Sequence, residues 1–112
     1  MNPLRYLIDW CQLYRTKRGA QEYAIVKTDN FPQKVKRNVI YIIQDGDVPD
    51  TVIFKCPCGC TSDIYLNLLK DTRPNWNFHL NKKGKITIVP SIWRKVGCQS
   101  HFFVRKSKVC WA

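Results

Sequence analysis

Two short segments hold the side chains of this chain best suited to binding a metal: Cys56-Pro57-Cys58-Gly59-Cys60 and Cys98-Gln99-Ser100-His101. Zinc takes four thiolate or imidazole ligands at tetrahedral corners, usually two from each of two tight turns. Cys56, Cys58, Cys60, Cys98 and His101 are therefore five candidates for four positions around one Zn2+ ion. The expected set is Cys60, Cys98 and His101 with either Cys56 or Cys58. Gly59 and Gly97 allow the backbone angles that such turns need. The first segment reads C-x-C-x-C, which is not the C-x-x-C of a zinc ribbon.

Three nearby side chains could turn such a site to hydrolysis. An ion with an open position activates water, a carboxylate handles its proton, and a donor holds the oxyanion. Asp63 is the available carboxylate, and Ser100 and Arg94 could hold the carbonyl oxygen. An alternative makes Ser100 the nucleophile with His101 or His79 as base. Adjacent strand residues point apart, so a Ser100–His101 pair is geometrically poor. Each residue also has a plainer use. Four ligands could close the site and only staple two loops. Ser100 could bond a thiolate, Arg94 could lie over Trp93 or Trp76, and Asp63 could simply begin a strand. Cys11 and Cys110 sit on apolar faces and read as core; His79 reads as an ordinary strand residue.

The elements that must position these residues are mostly strands. Runs at Tyr23–Lys27, Val39–Ile43, Thr51–Phe54, Asp63–Leu68, Trp76–Leu80 and Lys85–Ile88 are separated by turn signals, Asp45-Gly46 the strongest. Val39–Ile43 is continuously apolar and so is expected to be central. Pro90 is expected to end its strand, and Phe102–Val104 and Val109–Trp111 to close the fold as a hairpin. Regular spacing of short strands predicts a mainly β fold, a small antiparallel sandwich or barrel with the zinc site between two loops. Residues 1–20 carry an amphipathic pattern, Leu4, Leu7, Ile8, Cys11 and Tyr14, which predicts an N-terminal α-helix. The organisation expected is a single domain over 1–112, with that helix followed by a β domain over 23–112.

Composition narrows the classes. The chain has 112 residues, with four Trp, five Tyr and five Phe, enough aromatic material to build a core. No apolar run approaches the roughly 20 residues of a membrane helix, and no secretory signal pattern is present. The clustered cysteines then read as metal ligands in a cytoplasmic protein and not as a disulfide framework. The net charge of +11 suits an acidic partner, either an acidic protein surface or nucleic acid. Basic residues interleaved with Trp76, Phe78, Trp93 and Phe103 could stack bases.

The stretch from about Val39 to Trp111 resembles an uncharacterised-domain family of small bacterial and phage proteins. The resemblance lies in Tyr41-Ile42-Ile43, Cys56-Pro57-Cys58-Gly59-Cys60, Arg73-Pro74-Asn75-Trp76, Ser91-Ile92-Trp93-Arg94 and Gly97-Cys98-Gln99-Ser100-His101-Phe102. It implies a zinc-binding protein linked to bacterial ubiquitin-like conjugation. On that resemblance the expected activity is a peptidase that processes or removes a ubiquitin-like partner. The family pattern also has an acidic residue closer to the third cysteine, where this chain has Thr61-Ser62-Asp63. The alternative is a non-catalytic zinc module that binds nucleic acid or serves as a protein adaptor.

Overall fold

The computed structural model describes residues 22–112. They form eight strands: β1 (Ala24–Thr28), β2 (Val39–Asp45), β3 (Val48–Lys55), β4 (Asp63–Asn67), β5 (Asn77–Leu80), β6 (Ile86–Trp93), β7 (His101–Arg105) and β8 (Lys108–Trp111). The first four make one sheet in the order β1-β2-β3-β4, and the last four a second in the order β5-β6-β7-β8. No helix occurs among the described residues, and the helix expected over 1–20 lies outside them.

The core is the space between the sheets. Alternation along each strand sends one set of side chains inward. Ile40, Ile42, Val52, Phe54, Ile64 and Leu66 from the first sheet meet Ile86, Ile88, Ile92, Phe102 and Val104 from the second. Phe54 and Phe102 touch edge to face, ring centroids 6.2 Å apart, and Tyr23 meets Phe54 at 5.8 Å. This is the expected sandwich, mainly β and built of two layers.

The topology departs from expectation in two places. The first sheet is not wholly antiparallel, because β1 pairs with β2 in parallel. The chain between them crosses over the outer face of the sheet, where Val35 packs on Tyr41, Ile43 and Ile53. That second apolar cluster explains why β2 is apolar at every position from Val39 to Ile43: it is covered on both faces. The second departure is at Pro90, which does not end β6. The strand continues to Trp93, but its register against β7 jumps from Ile88↔Val104 to Ile92↔Phe102. Proline has no N–H to give the ladder, so the strand bulges there and resumes.

The β7–β8 hairpin forms as expected. Its turn places Lys106 and Ser107 at φ of 49° and 65°. Ser107 is fully buried, and its Oγ accepts the Ile86 N–H at 2.9 Å.

Candidate active site and metal centre

The β3–β4 loop carries the first cysteine segment and the β6–β7 loop carries the second. The loops belong to different sheets and meet at one end of the sandwich. The Sγ atoms of Cys56, Cys58, Cys60 and Cys98 all lie within 4.8 Å of one another. Cys56 Sγ is 3.4 Å from Cys58 Sγ and 3.6 Å from Cys98 Sγ. A tetrahedral ion with metal–sulfur bonds of about 2.3 Å needs sulfurs about 3.8 Å apart. The four thiols are gathered closely enough for one ion to draw them into such a tetrahedron. Gly59 and Gly97 sit at φ of 94° and 84°, the left-handed region that the turns require.

The surroundings favour thiolates. The Arg94 guanidinium points Nη1 at Cys60 Sγ, 3.6 Å away, and at Cys98 Sγ, 3.7 Å away. Ser100 is buried, with Oγ 3.2 Å from Cys98 Sγ and 3.9 Å from Cys56 Sγ. Hydrogen bonds from the backbone and side chain of Ser62 hold the Cys60 thiol down to about 6. Bonds from Ser100 lower that of Cys98. Burial pushes Cys56 the other way, up to about 11. A cation at the cluster would offset the burial that disfavours the Cys56 thiolate.

The expected ligands and acids are thus divided. Four of the five candidate ligands converge, and both Cys56 and Cys58 are among them. His101 takes another place. It begins β7, and its Nε2 lies 2.9 Å from Ser91 Oγ on β6. Ser100 and Arg94 face the sulfurs. Asp63 begins β4, where its carboxylate pairs with Lys55 Nζ at 2.7 Å, directly across the ladder.

The Ser91–His101 pair follows from strand geometry. On β6, Ser91 and Trp93 share the face opposite buried Ile92. On β7, His101 and Phe103 share the face opposite buried Phe102 and Val104. Trp93 and His101 are register partners. Their rings stack, with centroids 5.2 Å apart and planes 20° from parallel. Phe103 flanks the imidazole from its other neighbouring position at 6.2 Å. Lys95 Nζ caps the Trp93 ring at 5.1 Å, and Arg105 Cζ lies 4.9 Å from the Phe103 ring. The imidazole is thus fixed by aromatic packing on the outer face of the second sheet. The bulge at Pro90 is what re-aims Ser91, which lies inside the register shift, one residue before β6 rejoins its partner at Ile92.

Sequence reasoning did not assign Ser91 a role. One signal was present: a proline inside a strand pattern marks a bulge, and bulges re-aim side chains beside active sites.

Chemically, a serine hydroxyl at hydrogen-bond distance from an oriented imidazole is the arrangement that activates serine as a nucleophile. A family model described as the bacterial ubiquitination-like system serine protease, BubE, matches residues 27–112. The chain belongs to the BubE family. The matched stretch begins inside β1 and contains both the cysteine cluster and the Ser91–His101 pair. No curated protein and no solved structure matches the chain.

Proposed function

We propose that this protein is a serine peptidase acting on a ubiquitin-like partner, with Ser91 as nucleophile and His101 as its base. The observation that carries this reading is the 2.9 Å approach of Ser91 Oγ to His101 Nε2. Family membership supports a ubiquitin-like substrate. As Ser91 Oγ attacks the scissile carbonyl carbon, its proton passes to His101 Nε2. The same proton then goes to the departing amine as the C–N bond breaks. Water, deprotonated by the freed imidazole, hydrolyses the acyl-serine and returns Ser91. Attack requires the His101 tautomer protonated at Nδ1. Trp93 stacking holds the ring edge toward Ser91, the orienting task that a third polar residue performs in a triad.

In this reading the metal has no step in the reaction. We assign the four cysteines to one zinc ion as a closed, structural site: four thiolates fill a tetrahedron and leave no corner for water. The ion would tie the β3–β4 loop to the loop that separates Ser91 from His101. Arg94 then offsets the negative charge that four thiolates place on one divalent ion. Ser100 donates to a sulfur and Asp63 anchors the start of β4, so neither is needed for proton transfer. The surplus of positive charge, 19 Lys and Arg against 8 Asp and Glu, suits an acidic partner surface.

The test is cleavage of a C-terminally extended ubiquitin-like precursor from a bacterial ubiquitination-like operon, followed by mass spectrometry of the product. Ser91→Ala and His101→Ala should each abolish detectable tail release, and Ser100→Ala and Asp63→Asn should retain it. Release that survives Ser91→Ala, or that fails in Ser100→Ala with the fold intact, would count against this assignment.

A further inference from the structure

The strand that carries Ser91 is only half paired on one side. β5 pairs with β6 over Ile86–Val89 and stops there, while β6 runs on to Trp93. At Trp76 the chain leaves this lane for the other sheet, where the Trp76 N–H bonds to the Asn67 carbonyl at 2.9 Å. No other strand among the described residues pairs with β6 on that side.

The Arg94 N–H donates to the Ser100 carbonyl at 2.8 Å, so the main-chain groups of Arg94 point toward β7. Ile92, paired with Phe102, points the same way. In an antiparallel ladder the residues between such pairs point away from the partner. The N–H and C=O of Trp93, and the C=O of Ser91, therefore face the open side. The Ser91 carbonyl confirms it, since the indole Nε1–H of Trp76 reaches it from that side at 3.3 Å. Among the described residues, the Trp93 N–H and C=O then remain as an open donor and acceptor on this edge. The side chains of Val89 and Trp93, both about half exposed, offer apolar contact along the same lane.

From this geometry we infer that β6 binds its substrate by strand addition: an extended peptide enters the lane that β5 vacates and exchanges two hydrogen bonds with the main chain of Trp93. This rests on the reading of Ser91 as nucleophile. A strand in that lane lies about 4.8 Å from β6, close enough to present a main-chain carbonyl to a hydroxyl two residues along. The substrate class this selects is an unfolded, extended tail and not a folded surface. Recognition through main-chain bonds tolerates many side chains and excludes a proline, or any other residue lacking an N–H, at the position opposite Trp93.

The experiment uses a ten-residue peptide from the C-terminal tail of a ubiquitin-like protein of such an operon, and a series in which each backbone nitrogen in turn is methylated. Strand addition predicts one sensitive position near the scissile bond, where methylation lowers kcat/KM about two- to tenfold, the effect of one lost hydrogen bond. Its two neighbours, whose N–H groups face away from β6, should lose little. In Ser91→Ala, which binds without cleaving, saturation with the parent peptide should slow hydrogen exchange at the Trp93 amide. A flat methylation profile with Trp93 exchange unchanged at saturation overturns strand addition while leaving the peptidase reading in place. Cleavage of the parent peptide that persists in Ser91→Ala overturns the peptidase reading itself.

Discussion

Substituting Cys98 by serine should cost this protein much of its stability, because Cys98 is the one cluster member contributed by the second sheet. Cys56, Cys58 and Cys60 sit together on the β3–β4 loop, and only Cys98 reaches them from the β6–β7 loop. Without it an ion could no longer bridge the sheets. The loop closed between Cys60 and Cys98 spans roughly 40 residues. Treated as a cross-link, it removes chain entropy from the unfolded state worth about 4 kcal/mol. A domain of this size is stable by roughly 5–15 kcal/mol in all, so the loss is a large share. At roughly 4 °C per kcal/mol, the thermal midpoint should fall by about 15 °C. The assay is thermal unfolding followed by circular dichroism, on metal-loaded protein, chelated protein and Cys98→Ser, with metal content measured on each. Chelated wild type and Cys98→Ser should melt together, and chelation should not shift the variant further. A midpoint shift below about 3 °C in a variant that has lost its metal would refute the cross-link argument. Chelated protein kept well below its lowered midpoint should still turn over, since the β6–β7 ladder holds Ser91 beside His101 without the ion. Complete loss of turnover in a chelated but folded protein would contradict a purely structural metal.

Three further outcomes are expected. Phe54→Ala, which removes a fully buried ring contacting both Tyr23 and Phe102, should destabilise by about 3–5 kcal/mol in chemical denaturation, and a loss under 1 kcal/mol would show that the inter-sheet core is mispositioned. Gly97→Ala meets no atom within 4 Å at its new Cβ, so its cost is conformational, about 1–2 kcal/mol for an alanine held at positive φ; a neutral effect would mean the loop adopts another shape. In metal-free protein, Cys60 should alkylate with a rate that is half-maximal near pH 6, and Cys56 should stay nearly inert until well above pH 9. The signs are opposite. Cys60, held low, adds stability that is present above its unfolded value and lost as pH falls through about 6, whereas Cys56, held high, adds stability that is lost as pH rises toward about 11. Equal rates in peptide mapping at pH 7.5 would remove the electrostatic distinction between them.

Much of this architecture was legible in the sequence because binary pattern dictates it. The alternation of Asp63–Asn67 and the paired runs around Lys106-Ser107 allow few outcomes other than strands in a layered β fold. The continuous apolar run of β2 signals burial on both faces, although not that a crossover segment supplies the outer cover. The parallel β1–β2 pair was illegible, since strand direction depends on where the intervening chain travels. The cysteine cluster was legible as a site but not as a set. Spacing alone cannot say that the turn at Gly59 folds three thiols toward one point, and this left His101 among the candidate ligands. The pairing of His101 with Ser91 was hidden for a related reason. Their approach depends on a register jump at Pro90, which local propensity reads as a strand end, and ten residues of sequence separate two side chains that the ladder brings face to face.

The most direct test of the account is covalent capture of the nucleophile. Metal-loaded protein treated with a fluorophosphonate should gain one adduct, mapped by tandem mass spectrometry to Ser91. Labelling should be lost in Ser91→Ala, strongly slowed in His101→Ala and retained in Ser100→Ala. An adduct on Ser100, or labelling of Ser91 that does not depend on His101, would contradict the assignment of this pair as the catalytic centre.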